Sequence, residues 1–384
     1  MTDPVFKRDC LHFRSDRPCA PHKREGVVCE TCTQYAPVRT RILMVKLAAA
    51  GDVLRTTSIL PALRRKYEGC SLTWITASGS APLLERNPQI DRIVAFRGFL
   101  PPELLVEEFD VIVNLDAAAD SAAIASAIRA REKLGYGLDG RGVSYAFNKA
   151  AEEWLSMGRR DDLKRANKRT YQDHALVAAE LDGPAAPPQL FLTEREVAWG
   201  RERGRALGLR LGQRVIGLNT GAGGRWPLKR WTEEGFLATA RRFAADGCAV
   251  LLLGGPEEVE RNQRLAAACA GAKAGGGFVA DTGCDNSMRE FAALVNLCDA
   301  VVTGDTLAMH IATALGKQVV AIFGPTSSVE IDLFGRGEHV TSESMDCLVC
   351  YLSHCEKDPN CMNTIAPDRV EAALQRCFAA AEPR

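Results

Sequence analysis

Asp305 and Thr306 follow the apolar run DAVVTG and precede the helical pattern TLAMHIATALG. The backbone N–H groups and dipole of a helix starting there form an anion site, and the Thr306 hydroxyl can add a donor. Simple helix capping by either residue is the competing reading. NTGAGGRWPLKRW (219–231) also leaves a strand. Its glycines permit close backbone approach, Thr220 offers a hydroxyl, and Lys229 or Arg230 can meet a phosphate. It lacks the G-x-x-x-x-G-K-[ST] spacing of a P-loop. LLLGGPEEVE (251–260) places two glutamates at a strand's carboxyl end, where a carboxylate can accept hydrogen bonds from ribose hydroxyls. Acids enriched in a first helical turn explain the same pattern. In AAAGDVLRTT (48–57), Asp52 lies at a strand-to-helix turn, where a carboxylate can be a general base or a cap.

A second kind of chemistry comes from cysteine. Of fourteen cysteines, two sets of four are clustered: Cys10, Cys19, Cys29 and Cys32, and Cys347, Cys350, Cys355 and Cys361. The front set includes His22 and reads C-x₈-C-x₂-H-x₆-C-x₂-C; its Cys-x₂-Cys and Cys-x₂-His spacings suit zinc. The rear set, C-x₂-C-x₄-C-x₅-C, supplies four ligands alone. Structural zinc is the leading expectation, with an iron–sulfur cluster or free thiols and disulfides as alternatives. Cys70, Cys248, Cys269, Cys284, Cys298 and Cys377 lie in apolar or helical stretches and read as small buried hydrophobes.

The elements that must position these residues form two series. RILMVKL, SLTWITA, DRIVAF and FDVIVNLD read as strands, alternating with helical patterns at 52–67, SAPLLERNP and 117–131. The arginine- and lysine-rich stretch 155–170 interrupts the series, before a helix at YQDHALVAAELDG and the proline-rich GPAAPPQL. A second series runs from RVIGLNTG to QVVAIFGPT. Strands this uniformly apolar belong to parallel sheets covered on both faces. The fold class is therefore α/β, with two doubly wound domains and ligands at the carboxyl ends of strands. The boundaries are a Cys-rich segment (1–40), a first domain (41–182), a linker (183–213), a second domain (214–345) and a Cys-rich closing segment with a helix (346–384).

The 384 residues carry a formal net charge of zero, so no overall basic field points to nucleic acid. No apolar run is long enough to span a membrane, and MTDPVFKRDC lacks a signal peptide's apolar core, so a cytoplasmic protein is expected.

ILMVKLAAAGDVLRTTSILPALRRKY, APLLERNPQIDRIVAF, GAGGRWPLKRW, LLLGGPEE and GDTLAMHIATALGKQVVAIFGPT, in this order, resemble glycosyltransferase family 9, the ADP-heptose:lipopolysaccharide heptosyltransferases. The closing CLVCYLSHCEKDPNCMNTIAPDRV resembles a cysteine-bearing segment of some members. The resemblance implies a GT-B fold, with an acceptor domain facing a nucleotide-sugar donor domain across a cleft. It implies inverting, metal-independent transfer to a lipid-linked saccharide. The basic stretch 155–170 suits a phosphorylated saccharide or peripheral contact with the anionic face of the inner membrane, with a solvated loop as the competing reading. The resemblance assigns the general base to Asp52 and the donor phosphates to Lys229, Asp305 and Thr306. Glu258 falls to the nucleoside, and His310 matches a family histidine. Leu307 stands where the family often has glycine, and Ala48–Ala50 replaces a serine-rich loop. A chain end returning to the first domain would bring the two cysteine clusters together. A nucleotide-sugar epimerase of related fold, or a zinc-containing partner-binding protein on an inactive scaffold, are the rival readings.

Overall fold

A computed structural model describes residues 5–224, 226–270 and 276–380. The first sheet holds β1 (Thr40–Val45), β2 (Cys70–Ala77), β3 (Arg92–Phe96), β4 (Phe109–Asn114), β5 (Ala130–Leu138) and β6 (Ser144–Ala146), in the order 3-2-1-4-5-6. The second holds β7 (Val215–Asn219), β8 (Ala249–Leu253), β9 (Phe278–Asp281), β10 (Ala300–Gly304), β11 (Gln318–Phe323) and β12 (Gly337–Thr341), in the order 12-11-10-7-8-9. Counted from its own first strand, the second sheet repeats the first. Every pairing is parallel except β5 with β6.

The central strands are apolar throughout because both faces are covered. Ile42 and Met44 enter one core while Leu43 and Val45 enter the core on the opposite face. Val250 and Leu252 separate from Leu251 and Leu253 in the same way. This is the two-residue period of a strand, with both sides buried. Strand order reverses between β1 and β4, and again between β7 and β10. Each reversal opens a crevice at the strands' carboxyl ends.

Two helices bring these crevices face to face: Ala50–Thr56, which follows β1, and Leu307–Ala314, which follows β10. Gly51 is required at their contact. A Cβ there would stand 2.5 Å from His310 Cδ2. Leu54 and Leu83 of the first half are buried in a core of the second, and Arg289 Nη1 donates to the Pro82 carbonyl at 3.2 Å.

Several elements differ from the sequence pattern. The helix expected over 117–131 spans Ala119–Ala127, and β5 follows; Arg131, Glu132 and Lys133 disguise a strand whose first half is only partly covered. The pattern at 52–67 is interrupted by a 3₁₀ turn, Thr57–Ile59, before Leu60–Lys66, whose Pro61 lacks the N–H a continuous helix would use. The basic stretch is helical, Glu152–Arg159 and Asp161–Ala166. Within 183–213 lies a helix, Glu194–Ala206, capped reciprocally by Thr193 and Glu196. The closing helix, Pro367–Ala380, does not return to the first domain. It buries Val370, Ala373, Leu374 and Cys377 in a core of the second, and Trp231 Nε1 donates to the Ile365 carbonyl at 3.0 Å.

Candidate active site

On the first-domain side the crevice is charged. Lys46, one residue past β1, has a side chain 5% exposed; burial acts against its charge, but Tyr171, Asp52 at 3.9 Å and Asp116 at 3.8 Å together raise its pKa. Asp52 also receives Arg55 Nη2 at 2.8 Å, one helical turn on. Burial acts to raise the Asp52 carboxyl. Arg55, Lys46 and His310 outweigh it and hold the group at about 2. The Arg55 guanidinium lies 3.7 Å from the ring centroid of Tyr171, whose hydroxyl is 2.6 Å from Thr56 Oγ1. Lys46, Asp52, Arg55 and Asp116 border a pocket of about 410 Å³ walled by Tyr136, Trp154 and Tyr171. Glu330, from the second domain, completes the rim, and its carbonyl accepts from the Tyr171 N–H at 3.0 Å. Aromatic faces beside paired charges suit a saccharide, which offers both C–H faces and hydroxyls.

Across the cleft, Lys229 Nζ meets Asp305 Oδ2 at 2.7 Å, with both side chains under one-fifth exposed. Thr306 is the N-cap residue of Leu307–Ala314, but no side chain caps that helix. Instead Thr306 Oγ1 lies 2.9 Å from Thr303 Oγ1 and accepts from Asn219 Nδ2 at 3.3 Å. Capping therefore does not explain Asp305 and Thr306. Met309 N–H bonds back to the Thr306 carbonyl at 3.1 Å, but no side chain caps the Leu307 and Ala308 N–H groups, and Lys229 pairs with Asp305 just before them. Glu258 is buried; one of its oxygens accepts from the Gly255 N–H at 2.9 Å, while Oε1 has no partner among the described residues. Its carboxylate fills the space a Cβ on Gly221 would need, so it lies directly under the loop after β7. Thr220 does not face the cleft. Fully buried, its hydroxyl donates to Asn262 Oδ1 at 2.6 Å and its carbonyl accepts from Arg261.

His310 joins the halves. Burial and the Arg55 cation pull its pKa down to about 4 against the opposing pull of Asp305 and Asp52, so the imidazole is neutral. It sits between the helix bearing Asp52 and the strand end bearing Asp305.

The family model "Glycosyltransferase family 9 (heptosyltransferase)" matches residues 100–360. The chain belongs to glycosyltransferase family 9. It is 25% identical over 308 residues to lipooligosaccharide heptosyltransferase 2 of Haemophilus influenzae, covering 74% of this chain and 84% of that one. Its fold is similar to E. coli ADP-heptose lps heptosyltransferase II (TM-score 0.65, 20% identity, 88% of this chain and 98% of that one). It is also similar to the iron-containing dodecameric glycosyltransferase TibC from enterotoxigenic E. coli (TM-score 0.56, 12% identity, 89% and 79%). The two facing sheets are thus the GT-B fold of family 9.

In this family 9 chain the crevices gather more than the sequence motifs named. Lys46, Arg55, Asp116 and Glu330 were not singled out by pattern. Two carried a usable signal: Lys46 and Asp116 end the apolar runs that flank the first strand reversal. Arg55 reads as an ordinary helix-face cation, and Glu330 arrives from the other domain. Of the basic stretch, Arg159 lines the pocket, while Arg160, Lys164 and Arg169 pair with Asp162, Asp161 and Glu153.

The two cysteine clusters do not meet. The front segment is tied just before β1 by a bridge between Cys10 and Pro37, at the amino edge of the first sheet. The rear cluster lies at the carboxyl edge of the second sheet, where Cys361 Sγ occupies the space of a Cβ on Gly324. There Val349 and Tyr351, both with positive φ, donate their N–H groups to the Gly324 and Pro325 carbonyls. Burial, and after it the neighbouring Cys350, Cys347 and Cys355, push Cys361 up to about 11. All fourteen cysteines are free, and the six expected as core residues are buried. Among the described residues, no three His, Cys, Asp or Glu side chains are already drawn together around one ion position. His22 Nδ1 is 2.9 Å from the Val27 carbonyl, and the ring borders a neighbouring, larger cavity that Cys19 and Cys29 also line. No helix among the described residues is long and apolar enough to cross a membrane.

Proposed function

We propose that the protein transfers a heptose from ADP-heptose to a lipopolysaccharide-core saccharide with inversion at the anomeric carbon. The observation carrying this is the opposition of one ionised carboxylate, Asp52, to an uncapped helix start flanked by Lys229. The acceptor sits in the Tyr136–Trp154–Tyr171 pocket with a hydroxyl directed at Asp52. The donor diphosphate lies on the Leu307–Ala314 helix start. As the sugar–phosphate bond breaks, its electron pair leaves with the nucleoside diphosphate, and Lys229 and the helix N–H groups take up the charge. Asp305 holds Lys229 in place rather than touching the anion. The acceptor oxygen attacks from the opposite face and its proton passes to Asp52. At about 2 that carboxylate is a weak base, so it takes the proton only as the forming bond acidifies the oxygen. Glu258 Oε1, buried and without a partner among the described residues, suits a nucleoside hydroxyl.

Transfer assayed with ADP-, GDP- and UDP-sugars in EDTA tests this. ADP-heptose turnover without divalent ion supports it, and turnover only with Mg²⁺ contradicts it. The relatives' names favour transfer over epimerisation. The acceptor is lipid-linked, so the protein works at the cytoplasmic face of the inner membrane. The rear cysteines form an accessory structural metal site. Cys347, Cys350 and Cys355 neighbour Cys361, and four thiols suffice for a tetrathiolate, for which zinc and iron both qualify; TibC is iron-containing.

A further inference from the structure

The front cysteines have no part in that transfer. Cys10, Cys19, Cys29 and Cys32 line one small cavity of about 30 Å³, together with His12, Lys7 and Tyr35. A space of that size holds one water-sized body. The four thiols come from three separate pieces of chain. Cys10 closes a turn on Lys7, Cys19 immediately precedes the helix Ala20–Glu25, and Cys29 and Cys32 lie in the loop beyond it. Hydrogen bonds such as Val5 N–H to Glu30 at 3.0 Å and Gln34 Nε2 to Glu25 at 2.6 Å link them, but little buried apolar surface does. Pro21 is the only buried residue between positions 5 and 36, while Val5, Phe6 and Val28 are about half exposed. A segment with so little core needs a crosslink to keep one conformation.

We propose that Cys10, Cys19, Cys29 and Cys32 bind one divalent ion of the zinc class as a tetrathiolate, separate from the rear cluster. Binding draws the thiols inward, forms four sulfur–metal bonds and releases four thiol protons, with no change of oxidation state. One ion then ties the turn, the helix start and the following loop. His12 shares the cavity, but it stands two residues from Cys10 and adds no crosslink that Cys10 lacks. Four thiolates around a dication leave a double negative charge, and Lys7, on the cavity wall, offsets part of it. The site sits on the first sheet's amino edge, at the far end from the cleft. It stands or falls independently of the transferase reading.

The test is metal content of the full chain, purified anaerobically, by mass spectrometry, with two double variants. Cys29→Ser/Cys32→Ser is expected to lose about one equivalent and to keep ADP binding; Cys347→Ser/Cys350→Ser is expected to keep the front ion. In that rear variant, cobalt substitution is expected to give a thiolate-to-metal charge-transfer band. Chelation is expected to speed hydrogen exchange in residues 5–36. His12→Ala and His22→Ala are expected to retain the ion. Unchanged metal content in the front variant, no cobalt band in the rear variant, or disulfides among the four front cysteines would each overturn the site. Loss of the ion in His12→Ala would overturn the ligand set.

Discussion

Arg55→Ala should move the acid limb of catalysis into a measurable range. Arg55 Nη2 lies 2.8 Å from Asp52 Oδ1, and Lys46 stands 3.9 Å from the other oxygen. Burial raises the carboxyl; Arg55 is the largest of the groups that bring it down to about 2. A guanidinium at hydrogen-bond distance depresses an aspartate by roughly 1–3 units. Without it, Asp52 should titrate at roughly 3–5, with Lys46 still present. The sign follows directly. A depressed folded-state pKa stabilises the protein above the unfolded carboxyl's value of about 3.9 and loses that contribution as pH falls towards about 2. The wild-type kcat/KM should therefore be flat from neutrality down to the onset of unfolding. In Arg55→Ala it should fall below a midpoint of roughly 3–5. Chromatographic measurement of released ADP reads the profile without pH-sensitive coupling enzymes. Arg55→Lys preserves the charge but not the stacking on Tyr171, so its limb should stay low even where its rate drops. An unmoved limb in Arg55→Ala, or equal shifts in both variants, refutes the electrostatic account of Asp52.

On the proposed donor placement, Lys229→Ala removes a charge-assisted contact to the diphosphate. ADP affinity measured by calorimetry in EDTA should weaken roughly 10- to 100-fold, and an unchanged Kd would exclude Lys229 from the phosphate site. Gly51→Ala should push Ala50–Thr56 away from His310, because its Cβ would stand 2.5 Å from the ring. kcat/KM should fall while ADP affinity, which the proposal assigns to the second domain, stays within about twofold; a normal kcat/KM would show that the helices slide freely. Gly221→Ala forces the Glu258 carboxylate aside and should cost about 1–3 kcal/mol in thermal or denaturant unfolding, so an unshifted midpoint would show that the loop relaxes at no cost.

The central strands were readable because burial on both faces makes them uniformly apolar, and their order with the intervening helices gave the doubly wound class. β5, β9 and β12 escaped because only part of each is buried, so charge and glycine dilute the pattern. The same contrast holds at the site. Asp52, Lys229, Glu258 and Asp305 sit beside strand ends and glycines, which mark crevices in one dimension. Arg55 gains its role from a carboxylate one helical turn away, and Glu330 from packing across domains; neither relation is local. Thr220 shows the opposite error. Its position after β7 suggested a ligand contact, but its hydroxyl points inward to Asn262. His22 had zinc spacing, and its Nδ1 lies against the Val27 carbonyl.

Asp52→Asn keeps the shape of the side chain and removes the base. Single-turnover transfer from ADP-heptose, measured beside ADP binding, is the most direct test of the central claim. The account predicts that transfer slows roughly 10²- to 10⁴-fold while the Kd for ADP is unchanged. Transfer within a few-fold of wild type would contradict it.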